Sequence, residues 1–337
     1  SDIDGLSDAL KENDSIWLGS DPTSSTDTAQ YNVAVGVDCL DVVSTGDKNT
    51  VLGNQAMHAS TTSYQNIAIG YKALTAGTNH YANVVIGTQA CMNRTSGGYL
   101  VAIGEGANQN ASAGTESVYI GYSAGAGNSG TNNTAVGRGV NSVGSCSALT
   151  AIGNNAGYFT TGTGNCYYGH ESGFSGAGSD GTYNSGYGYR ALKAMTSGSK
   201  NISMGWGSGD NITTGSNNVV IGAADVTATS SDQLSISSGD GSPVWITGNS
   251  AGKITLGDNN LAVEESALFS SDSSTMDGKA IRFETAGGMI HSTNGVALGV
   301  IGTTATRFLT CSPGGIGAIE VLCHIKNHGT DERQTEK

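Results

Sequence analysis

The chain has 337 residues, of which 52 are glycine and 3 proline, and only 13% are charged. Its 15 Lys and Arg against 28 Asp and Glu leave a net charge of −13. No basic stripe exists to displace counterions from phosphates, so nucleic acid is not an expected partner. Long helices favour Ala, Leu, Glu and Lys over Gly, Ser, Thr and Asn, and disordered chains usually carry more charge or proline, which leaves a repetitive β architecture.

Residues 1–12 place Ile3, Leu6 and Leu10 on one face of a short helix, weakened by Gly5, that would join and bundle with copies of itself. Ile16-Trp17-Leu18 then supplies an apolar plug suited to closing the end of a repeat array, since such arrays need covered ends. The array itself is built on a five-residue phrase: Asn, β-branched, small, large apolar, Gly. It stands whole at Asn32-Val33-Ala34-Val35-Gly36, Asn66-Ile67-Ala68-Ile69-Gly70 and Asn218-Val219-Val220-Ile221-Gly222. The closing glycines are Gly36, Gly53, Gly70, Gly87, Gly104, Gly121, Gly137, Gly153, Gly169, Gly188, Gly205 and Gly222, at intervals of 17 residues five times, 16 three times, then 19, 17 and 17.

Each column of the repeat has a physical reading. The glycine implies a bend or a positive φ. The Asn that opens nine of the twelve copies would stack as a hydrogen-bonding ladder. The large apolar residue before the glycine and the β-branched residue two before it share one strand face, expected to fill a core. The small residue between them suits the close approach of another backbone. A second small column lies three residues after the glycine, at Cys39, Ala56, Ala73, Ala90, Ala107, Ala124 and Ala156. The expected fold is therefore all-β, a parallel β-solenoid or β-roll of about 12 coils with a ~17-residue period. One such coil encloses little apolar area, so a homotrimer around an axis is expected.

The phrase Asn-x-Ala-Ile-Gly-Tyr-x-Ala-Leu, whole at Asn66 to Leu74, resembles the repeats of bacteriophage tail fibres. It is also similar to the head repeats of trimeric autotransporter adhesins, which implies a parallel β-roll in trimers. The stretch from Gln233 to Ser250 resembles the segment that succeeds such repeats in phage structural proteins. A virion fibre attached to other tail proteins, binding a host-surface glycan or protein by many weak contacts, is the function that the resemblance implies. A bacterial surface adhesin, a structural spacer or decoration, and a glycan-depolymerising tailspike remain alternatives. The Ser-Asp-x-Arg-Leu-Lys start of a self-cleaving chaperone domain is not found, so no protease activity is carried over.

After residue 232 the period stops. Val244-Trp245-Ile246-Thr247 and Lys253-Ile254-Thr255-Leu256 read as two strands joined through a glycine-bearing turn. Apolar stretches at 281–290, 296–301, 306–310 and 316–325 suggest a small β domain before a polar tail. The expected divisions are thus 1–31 as connector and cap, 32–231 as shaft and 232–337 as C-terminal domain.

Chemistry is sparse. Gly125 to Gly130 and Gly176 to Gly181 match Gly-x-Gly-x-x-Gly, but a dinucleotide site needs a strand before and a helix after. No cofactor is expected. The six cysteines have no metal-ligand spacing and read as small buried apolar residues, so no metal is expected. No apolar run approaches the ~18 residues of a membrane span, so no membrane insertion is expected. No catalytic set stands out, although Glu171 and Asp180 flank the longest repeat and are the carboxylates to test for depolymerisation. The candidate binding residues sit directly after the glycines: Tyr71, Tyr122, Tyr189 and Trp206, aromatics suited to stacking on sugar rings or to packing between coils.

Overall fold

The structure is a computed structural model that describes residues 9–19, 22, 26, 28–175 and 179–256. Every regular element among them is a β-strand. A 17-stranded sheet carries the fold, and a 2-stranded sheet, Asn79–Tyr81 with Ser96–Gly98, forms in the segments between phrases. From Ser15–Leu18 through Val33–Val35 to Leu234–Ser237, each strand of the large sheet is parallel to its neighbours and one coil away from them. The phrase sets the register: Ala34 lies beside Val51, Val51 beside Ala68 and Ala68 beside Val85. At ~4.8 Å per step the ladder runs on the order of 60 Å.

The parallel β-solenoid therefore stands, and it continues beyond the repeat at both ends. Trp17 pairs in register with Ala34, so Ser15-Ile16-Trp17-Leu18-Gly19 is itself an opening coil with serine in the Asn column. Ile236 pairs with Ile221 in a closing coil that has Ser237 where the glycine would be. Ala9–Glu12 is a strand, antiparallel to Ser15–Leu18, where the sequence pattern predicts a helix. Asn13 and Asp14 adopt φ of 48° and 56°, the two positive values that a tight hairpin turn requires. Covering the open edge of the first coil outweighs a weak helical pattern interrupted by glycine. Ile3 and Leu6 lie outside the described residues. At the other end Val244–Gly248 and Ile254–Leu256 are the two expected strands, each antiparallel to the one before it. The later apolar stretches also lie outside the described residues.

The repeat glycines are required twice over. From Gly36 to Gly205 their φ lies between 131° and 142°, and a β-carbon on Gly87 would stand 2.3 Å from the Gly104 carbonyl oxygen in the next coil. The Asn ladder forms as expected. Asn49, Asn66 and Asn83 each donate Nδ2 to the Oδ1 of the Asn one coil earlier, at 3.0, 3.0 and 2.9 Å. Each also donates to a carbonyl across the coil, on Ser63, His80 and Gly97. The Oδ1 additionally accepts the backbone N–H of the next Asn, so these buried amides are saturated.

The core inverts one expectation. The small residues of the phrase point inward: Ala34, Val51, Ala68, Val85, Ala102, Ala135 and Ala151 are at most 1% exposed. They share the interior with the second small column, including Ala56, Ala73 and Ala90, and with Leu40, Met57 and Leu74. The large residues before the glycines, expected in the core, point outward, and Leu52 and Met204 are 48% and 50% exposed. The reason is the narrow bore: backbone returns so soon that only small strand residues fit. Where two tyrosine rings enter, a glycine faces each. Tyr119 and Tyr167 are buried, and β-carbons on Gly125 and Gly173 would fall 2.2 and 2.5 Å from their rings.

Candidate functional surface

Two outward columns of the large sheet form one apolar stripe. One column runs Val33, Thr50, Ile67, Val84, Val101, Val118, Thr134, Thr150, and the other Val35, Leu52, Ile69, Ile86, Ile103, Ile120, Val136, Ile152. Continued through Cys166, Tyr168, Ser185, Tyr187, Ile202, Met204, Val219 and Ile221, the stripe contains no charged residue, in a chain with net charge −13. Every position in it is intermediate or exposed. An uncharged, mostly apolar band on an exposed face, broken only by the small polar residues Thr50, Thr134, Thr150 and Ser185, marks a surface that meets something.

Beside the stripe runs the column after the glycines. Tyr71, Tyr122, Tyr189 and Trp206 are 45%, 51%, 38% and 65% exposed, so the column faces outward as the sequence suggested. It does not bring the four together. Tyr71 has Lys72 over its ring, and Tyr122 has Arg138, from the next coil of the same column. Only the last part is continuous: His170, Tyr189 and Trp206 stack at centroid distances of 5.2 and 6.4 Å, tilted by 11° and 3°. Arg190 lies over the Tyr189 ring at 4.9 Å and binds Glu171 at 2.8 Å, while Lys193 takes the same Glu171 oxygen at 2.9 Å. These two cations hold the Glu171 carboxyl below its usual range, the Lys193 hydrogen bond foremost. Glu171 is thus committed to an ion pair, and Asp180 is exposed.

No protein-family model and no curated protein matches this sequence.

A second aromatic group lies outside the repeat phrase and the column after the glycines. Tyr64 and Tyr81 stack at 5.7 Å, and Tyr99 meets Tyr81 edge-on at 5.4 Å. These rings come from the segments between phrases. Tyr64 and Tyr81 each lie eleven residues after a repeat glycine, Gly53 and Gly70, so the 17-residue spacing itself aligns them, and Tyr99 is one position further on. In the same coils the interior holds charge. Arg94 is 1% exposed; its Nη1 donates to Asn108 Oδ1 and Ala113 O at 3.1 and 3.3 Å, and its Nη2 to Gly114 O. His80 is fully buried nearby, and its imidazole is pushed down to about 4, by burial first and the Arg94 charge second.

A histidine whose folded pKa lies below its unfolded value of ~6.5 stabilises the fold above that value and loses the contribution as pH falls toward 4. Protonating His80 is expected to cost the fold about 3 kcal/mol at most. Urea titrations between pH 7 and pH 4 are expected to show a smaller pH slope in His80→Gln than in the parent. Equal slopes would assign the acid sensitivity to other groups.

The described cysteines are free thiols, and burial pushes those of Cys39, Cys91 and Cys146 up to about 12. They are unreactive fillers at ordinary pH. Among the described residues no group of three or more His, Cys, Asp or Glu is placed to hold a metal ion. No helix among them is long and apolar enough to cross a membrane. Gly125 to Gly130, one of the glycine-rich matches, forms turns and coil with no helix after it.

Proposed function

We propose that this chain is the shaft of a trimeric fibre, a virion tail fibre that attaches to a host surface without covalent chemistry. The observation that carries the reading is the uncharged apolar stripe along the sheet. Each copy has the same rise per coil, so the stripe of a second copy matches it step for step, and three stripes facing an axis remove all of them from water. The β-solenoid itself is compatible with a structural fibre or an adhesin-like protein. The phrase at Asn66 to Leu74 resembles both tail-fibre and adhesin repeats, and the stretch from Gln233 to Ser250, with its resemblance to what succeeds such repeats in phage structural proteins, supports the virion over the cell surface.

Light scattering on the purified chain is expected to give three times 33.9 kDa, and antibodies raised against the shaft are expected to decorate a particle appendage in electron micrographs. A stable folded monomer removes the trimer. Antibody label confined to the bacterial envelope selects the adhesin instead.

A further inference from the structure

Trp206 is the most exposed large apolar side chain among the described residues, at 65%. It ends the aromatic ladder: Tyr189 stacks on one side, and the next position of the column is Ala223. No other described ring stacks on it. Beyond Ala223 the chain carries small residues: Ser238 O accepts the Ala223 N–H, Gly241 lies against the Ala223 backbone, and a β-carbon on Gly239 would meet nothing within 4 Å. Tyr189 and His170 behind Trp206 hold its plane, so little ordering remains to be done when a ligand arrives.

Acidic groups lie in the coil that carries this ring and in the next one. Asp210 Oδ2 stands 3.5 Å from where a β-carbon on Gly207 would be, one residue from Trp206. Asp225 is in hydrogen-bond contact with Asp210, and its carboxyl is pushed up to about 6, by burial first and then by the Asp210 charge. Arg190 and Lys193 share the single Glu171 carboxylate, and Arg190 is also drawn by the Asp210 charge.

We propose that Trp206, at the free end of its aromatic ladder and with Asp210 four residues on in the same coil, is a binding platform for a neutral sugar ring of a surface glycan. This deepens the fibre reading and rests on it for its biological setting. A pyranose has an apolar C–H face that lies flat on an indole and a rim of hydroxyls that donate to carboxylate oxygens. A broad protein partner fits less well, because the free aromatic face is one ring wide. A uronic acid fits less well because the Asp210 and Asp225 carboxylates in the same and next coil repel it. Each platform binds weakly, and repetition on a particle supplies the avidity.

The test is a tryptophan-fluorescence and saturation-transfer NMR titration of the full-length protein with neutral gluco-, galacto- and manno-oligosaccharides. At least one series is expected to bind, with affinity reduced about tenfold or more in Trp206→Ala, severalfold in Tyr189→Ala, and unchanged in Trp245→Ala. Trp245 is 53% exposed but stacks on no described ring, which makes it the matched control. Failure of the whole panel to bind, or binding by Trp206→Ala equal to the parent, overturns the platform. So does full shielding of Trp206 from acrylamide in the assembled protein. Light scattering on the same samples separates the two ideas. A trimer that ignores sugars keeps the fibre and loses the platform, whereas a monomer whose sugar binding depends on Trp206 does the reverse.

Discussion

If the chain assembles as proposed, a double variant, Ile86→Asp with Ile103→Asp, is expected to convert that trimer into a folded monomer. Both side chains lie in the outward column and neighbour one another in the sheet, each half-covered in the isolated chain. Burying the rest of an isoleucine contributes about 1 to 2 kcal/mol, and leaving an unpaired carboxylate in a dry contact costs several more. Threefold symmetry repeats the penalty in every copy. The fold should survive, because the inward neighbours Val85 and Ala102 are untouched. Sedimentation would show the loss of mass and circular dichroism the retained strands. A variant that remains trimeric would move the interface to another face.

The largest effect on the fold itself is expected from Gly87→Ala. Its φ of 142° is a region that side chains avoid at a cost of about 1 to 3 kcal/mol. The added β-carbon would meet backbone at 2.3 and 2.5 Å, on O and C of Gly104, which cannot rotate away. Nor can Gly104 retreat, since a β-carbon there would be 2.5 Å from Gly121 O. The displacement must pass from coil to coil. We expect a loss above about 4 kcal/mol, and melting in two steps as the array divides at the damaged coil. Gly239→Ala meets nothing within 4 Å and should melt like the parent. Equal melting of the two variants would show that the column tolerates side chains.

How much of the molecule is legible in its sequence depends on what each residue must do locally. Glycine at a crowded positive-φ bend and asparagine in a ladder have no good substitutes, so their spacing displays the fold openly. Which strand face lies inside is not legible in the same way. Ile69 and Ala68 are both apolar, and the deciding quantity, the width of the bore, is set by three-dimensional return of the chain. The usual rule that large residues fill cores then misleads, because in this fold they serve an outer face. The first and last coils are hidden by substitution, with Trp17 in the small column and Ser237 in place of glycine. The aromatic ladder is legible only as a column. That Tyr189 and Trp206 stack while Tyr71 and Tyr122 stand apart depends on Thr88 and Arg138 succeeding the isolated pair in that column.

The Asn ladder also has a direction. Asn49 donates to Asn32, Asn66 to Asn49, and Asn83 to Asn66, each side-chain amide reaching toward the N-terminus. The backbone N–H of each later Asn does the same. A ribosome releases the chain from that end, so along the unbroken run from Asn32 to Asn83 each later asparagine meets an acceptor oxygen on the coil made before it. The strand backbone beside the column runs the other way, as Val33 N–H donates forward to Asn49 O. Winding in chain order, each turn of that run serving as the mould for the one after it, is the expected consequence.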